Sequence, residues 1–124
     1  MKSNREAVIS KLSVGDIFRA SFPNGAKRIC VVTSVIKTTM AARAITTQED
    51  FDFDRSFGTA ESIEGAVCTI DSVHPLSEEI RSALLELDLR YRREAGSAGL
   101  PLSISERRAL LEAGALFSSN PLPP

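Results

Sequence analysis

The sequence predicts an α+β fold: a five-stranded, strongly curved antiparallel meander in the first three-fifths of the chain, then two helices. Three observations predict it. Apolar runs of strand length recur through residues 17–73, separated by turn residues rather than helical segments. After residue 75 the apolar positions switch to helical spacing. The length of 124 residues, with 43% hydrophobic and 25% charged side chains, suits one globular core but not two. The expected organisation is a single domain over 1–117 and a flexible tail over 118–124.

Residues 4–12 open with Asn4, a good N-cap type, and Val8, Ile9 and Leu12 share one helical face, so a short lid helix is expected. Val14-Gly15-Asp16 breaks it. The meander spans 14–73 and starts with Ile17 to Phe22, where Phe18, Ala20 and Phe22 alternate with Ile17, Arg19 and Ser21. Pro23-Asn24-Gly25 is a hairpin signal, because Asn and Gly tolerate the positive φ of a tight turn. The second strand, Arg28 to Ile36, sets Ile29, Val31 and Val35 on one face against Cys30, Val32 and Ile36 on the other. It reads as a central strand covered on both sides.

After Lys37-Thr38-Thr39, a third strand over Met40 to Thr46 carries the small residues Ala41, Ala42 and Ala44, which suit tight curvature. Phe51-Asp52-Phe53-Asp54 alternates strictly, placing two phenylalanines in the core and two carboxylates in water, and is expected near a sheet edge. A loop from Ser56 to Gly65 leads to the fifth strand, Ala66 to Val73. Pro75, with Glu78 and Glu79 behind it, then predicts a helix over 76–94 with an apolar stripe of Leu76, Ile80, Ala83, Leu84, Leu87 and Tyr91. Gly96, Gly99 and Pro101 end it. The Ser103 to Glu106 capping box opens a final helix over 103–114, which Gly114 is expected to stop.

The order Val14-Gly15-Asp16-Ile17, strand, Asn-Gly turn, long apolar strand resembles the opening of Src-homology-three-like small barrels. The segment from Gly15-Asp16-Ile17 through Phe22-Pro23 and Lys27-Arg28 to Val31-Val32-Thr33-Ser34 also resembles the first strands of PemK/MazF-type toxin endoribonucleases. That likeness implies RNA cleavage with Arg28 and either Thr33 or Ser34 at the site. The chain departs from the family in its short Asn24-Gly25-Ala26 loop, in Ile29 where a proline follows the Arg, and throughout the region beyond residue 40.

The residues present narrow the chemistry. His74 is the sole histidine, and its place before Pro75 suits a turn rather than an acid–base role. Cys30 and Cys68 lie apart within apolar runs, so they read as buried free thiols, and with one His they are too few for a structural zinc site. No cofactor is expected. Glu49, Asp50, Asp52, Asp54, Glu61 and Glu64 read as a solvated acidic face rather than a cation site. With no Trp, one Tyr and mostly core-type Phe, an exposed aromatic platform for peptides or single strands is not expected.

The 15 basic and 16 acidic residues give a net charge of −1, without the basic excess that phosphate binding favours. A local nucleic-acid patch would have to use Lys27, Arg28, Lys37, Arg43 and Arg55. In the helical arm, Glu86 with Arg90 and Asp88 with Arg92 have the four-residue spacing of exposed ion pairs. The leading expectation is a non-enzymatic accessory protein acting through protein contacts or self-association. Its contact residues would be the meander edge and the arm's apolar surface at Leu84, Leu87, Tyr91, Leu110, Leu111 and Phe117, with Leu100, Leu102 and Leu116 adding to it. A cytoplasmic location without membrane insertion is expected, since there is no leader-like pattern and no long apolar run.

Overall fold

The computed structural model describes residues 4–62, 64–94 and 101–123. Its elements are α1 (Asn4–Ile9), β1 (Ile17–Ser21), β2 (Lys27–Val35), β3 (Thr39–Ala44), β4 (Asp50–Asp54), β5 (Thr59–Glu61), β6 (Val67–Ser72), α2 (Glu78–Arg93) and α3 (Ile104–Ser119). The strands form one antiparallel sheet in the order β4-β3-β2-β1-β6-β5. This sheet curls until its two ends, β4 and β5, lie side by side, giving a nearly closed barrel. Among the described residues no helix is long and apolar enough to cross a membrane.

The sheet has two cores because its central strands are apolar on both faces. Phe18, Ala20, Cys30, Val32, Met40, Ala42, Phe51, Phe53, Cys68 and Ile70 fill the barrel interior. On the outer face Ile17, Val31 and Ile45 meet Leu84, Leu87 and Tyr91 of α2 and Ala109, Ala113 and Phe117 of α3. The covering that β2 required is therefore supplied by the interior on one side and the two helices on the other. A bulge between Val32 and Ser34 changes the expected facing at the end of β2. Val35 packs on the interior core, and Ile36 is left 64% exposed.

Several boundaries differ from the sequence reading for local reasons. The expected loop 56–65 contains β5, which is only three residues long and too short to show a period. Among the described residues six strands result, not five. Helix α2 begins after Ser77 rather than at residue 76, because the Ser77 hydroxyl accepts a hydrogen bond from the Ile80 amide and caps it. The capping box at Ser103 and Glu106 forms as expected, but α3 runs through Gly114 to Ser119. Burying Ala113 and Phe117 on α2 and the sheet outweighs the roughly 1 kcal/mol that a helical glycine costs. Gly96, Gly99 and Leu100 lie outside the described residues.

The segment after α3, expected to be flexible, is tied down over Asn120 to Leu122. The Ser72 hydroxyl donates to the Asn120 carbonyl, the Leu122 amide donates to the Asp71 carbonyl at 2.8 Å, and Leu122 packs on the interior core. The register slip that skips Asp71 between β1 and β6 frees that carbonyl for the bond. It also directs the Asp71 carboxylate to Arg19 at 2.9 Å and Lys27 at 3.5 Å.

Candidate functional site

The two ends of the barrel are unlike. At one end α1 forms a plug: Ile9 and Leu12 enter the interior core, while Arg5 donates to the Phe57 and Ile70 carbonyls at 2.8 and 2.6 Å. Arg55 reaches the Ser10 carbonyl at 2.6 Å from the β4–β5 turn. Asp54 organises that turn by accepting from the amides of Ser56, Phe57, Gly58 and Thr59 and from the Thr59 hydroxyl. It is therefore half-buried in a turn rather than free in water as the strand alternation implied.

The other end has no such plug among the described residues. It opens into a cleft of about 620 Å³ between the β1–β2 turn, the start of β4 and the β5–β6 turn. Phe22, Pro23, Asn24, Ala26, Arg28, Glu49, Asp50, Phe51, Ser62, Glu64 and Ala66 line it. The Pro23-Asn24-Gly25 turn forms one wall. Gly25 has φ +90, and the Asn24 side chain accepts the Ala26 amide at 2.9 Å. The floor is aromatic. Phe22 and Phe51 have ring centroids 6.1 Å apart, Phe51 and Phe53 are 5.7 Å apart, and Phe53 meets Phe18 edge-on at 5.4 Å, so a file of rings runs from the mouth into the interior.

The polar wall is a fixed pair. Arg28 lies over the Phe22 ring at 5.1 Å and donates to Glu49 at 2.7 Å, while the Thr47 hydroxyl donates to the same Glu49 oxygen at 2.7 Å. Burial pushes the Glu49 carboxyl up, but the bonds from Arg28 and Thr47 outweigh it and hold the group below the usual carboxylate range. Among the described residues Asp50 and Glu64, exposed on the rim, make no salt bridge. The lining thus carries three carboxylates against one guanidinium, and that guanidinium is already engaged.

The five basic residues do not converge. Arg28 is in the mouth, and Lys27 turns to Asp71. Arg43 is on the outer face, bound to Asp88 of α2 by two bonds of 2.9 and 2.7 Å. Arg55 and the exposed Lys37 belong to the plugged end. Of the apolar residues proposed for contacts, Leu84, Leu87, Tyr91 and Phe117 are buried in the outer core, and Leu110 packs against it. Their stripe packs the helices on the barrel. Leu111 alone among the six is exposed, at 69%. Leu102 packs on the same core.

The expected ion pairs along α2 are replaced by pairs between elements. Asp88 is buried and serves Arg43 and Gln48, and Arg90 binds Glu106 of α3 at 2.8 and 3.0 Å. Arg28 and Ser34 lie at opposite ends of β2, about 20 Å apart at strand rise. His74 lines a smaller cleft of about 280 Å³ with Leu12, Asp16, Val73, Pro75 and Arg81. Both cysteines are free and buried. Burial pushes the Cys30 thiol far up and the Cys68 thiol up to about 11, so neither is poised as a nucleophile. Among the described residues no three His, Cys, Asp or Glu side chains gather as a metal site.

The mouth was not singled out from the sequence, although a signal for it existed. Phe22 directly follows β1 and Phe51 is the second residue of β4, and both pack on the interior core. In antiparallel neighbours of β2 and β3, these positions fall at one barrel end. Comparison with family models, curated proteins and solved structures gives no match for this chain.

Proposed function

We propose that this protein is a small, non-enzymatic binding module, an accessory protein that engages a protein partner at the open mouth of its barrel. The observation that carries the reading is the difference between the two ends: α1 and its arginine bonds seal one, while the other presents a concave aromatic floor. Concave apolar surfaces with a few fixed polar groups are the usual form of binding sites. The Arg28–Glu49–Thr47 network holds this one in shape before anything arrives, which lowers the ordering cost of association. The helical arm contributes by bracing the barrel from outside rather than by offering its stripe.

The test is site-specific photocrosslinking in the native cell. A photoreactive side chain at Asn24, on the mouth, is compared with one at Ile104, which is 82% exposed on α3. Protein adducts from Asn24 and not from Ile104 are expected. Adducts only from Ile104 would return the contact to the helical arm, and nucleic-acid adducts from Asn24 would replace the partner class. Failure of Asn24 to crosslink at all would remove the mouth as the binding surface.

A further inference from the structure

The geometry points to a partner segment that is cationic as well as apolar: a short stretch bearing a lysine or arginine beside an aliphatic or aromatic side chain. This rests on the mouth being the binding surface and adds the chemistry of its occupant. The floor of Phe22 and Phe51 offers area for a hydrocarbon body. Above it, Asp50 and Glu64 are exposed carboxylates that make no salt bridge among the described residues, Asp50 feeling the charge of Arg43 across the strand pair, whereas the charge of Glu49 is answered by Arg28. Arg28 is partly committed: its Nε donates to Glu49, which answers its charge, and one Nη1 hydrogen goes to the Lys27 carbonyl.

A ligand entering the mouth therefore meets apolar surface at depth and a net negative charge at the rim, with three lining carboxylates against one guanidinium. A basic side chain fits both, since its methylene stem packs on apolar surface while its head stays at the edge in water. An acidic segment, or a phosphate backbone, would meet repulsion from Asp50 and Glu64, against a single lining cation whose charge Glu49 already answers.

The experiment is an NMR titration of the isotope-labelled full chain with two probes: the blocked pentapeptide Gly-Leu-Lys-Leu-Gly and its counterpart with Glu in place of Lys. Shifts confined to the amides around residues 22–26, 49–51 and 64–66 are expected. The Lys peptide should bind about tenfold more tightly than the Glu peptide, and the D50N/E64Q double variant should lose most of that difference. Both substitutions are at exposed positions, and an unchanged amide spectrum elsewhere checks the fold. Equal binding of the two peptides, a preference that survives in D50N/E64Q, or no binding by either would overturn the inference. An acidic partner segment crosslinked at Asn24 would overturn it too, while leaving the mouth as the binding surface.

Discussion

The contact between barrel and helical arm is most exposed to test at Asp88. Its carboxylate accepts Arg43 Nε at 2.9 Å and Nη2 at 2.7 Å, and Gln48 Nε2 at 3.0 Å, with side-chain exposures of 7% for Asp88 and 16% for Arg43. Replacing it in D88N keeps the shape and removes the charge, which strands the guanidinium. Breaking a buried pair from one side costs about 3–5 kcal/mol, and the partial exposure of Arg43 brings the expectation below that range, to about 2–3 kcal/mol. Against a typical domain stability of about 5–15 kcal/mol this is a large fraction. Urea unfolding near neutral pH, followed by far-UV circular dichroism and by the fluorescence of the single tyrosine, Tyr91, reads it directly.

The pH dependence supplies a second handle. Burial pushes the Asp88 carboxyl up, but the Arg43 and Gln48 bonds outweigh it, so its folded pKa lies below the ordinary value. For a depressed carboxylate the unfolded chain binds more protons in the intervening range. The contribution is therefore complete above the unfolded value of about 4 and is lost as pH falls through the folded one. Wild type and D88N should differ most near neutrality and converge in acid. A gap under about 0.5 kcal/mol near neutral pH, or one that persists undiminished in strong acid, would refute this account of the pair. The double variant R43M/D88L should recover most of the loss, because two apolar side chains leave no stranded charge.

Two further outcomes follow from local geometry. Gly58 has φ +74, and an added Cβ would stand 2.8 Å from Ile9 Cδ1 and 3.2 Å from Ile70 Cβ, whereas Gly25 has φ +90 with nothing within 4 Å. G25A should cost about 1 kcal/mol from backbone strain alone and G58A about 2–4 kcal/mol, and equal losses in urea unfolding would contradict the tight seating of the plug. The raised pKa values and burial of Cys30 and Cys68 predict negligible reaction with a disulfide reagent in the native state at mildly alkaline pH and two thiols titrated in urea; rapid native labelling would show that the interior opens.

What the sequence made legible follows from which forces act locally. The Pro23-Asn24-Gly25 turn, the two-sided β2, the edge position of β4 and the capping box at Ser103 all depend on residues near one another in the chain, and each appears in the structure. β5 was hidden because three residues carry no period, and Gly114 failed to end α3 because tertiary burial of Phe117 outweighs a glycine penalty. Asp88 read as a solvent charge because its partner, Arg43, is 45 residues away. The mouth was obscured for the same reason: Arg28 and Glu49 meet only after β3 has turned the chain back.

The bonds converging on β6 have a kinetic consequence. Beyond its local hairpin with β5, its Ile70 carbonyl receives Arg5 from 65 residues upstream, it pairs with β1 some fifty residues away, and its Asp71 carbonyl receives the Leu122 amide from beyond α3. Such separations carry a large loop closure entropy, so docking of the β5–β6 hairpin onto β1 is expected to come late. The β1–β2–β3–β4 meander can form first from neighbouring contacts, but it stays an open trough until β6 arrives. The plug, the seam and the brace then lock in one cooperative step, and hydrogen-exchange protection of β6 should appear together with that of α1 and α3.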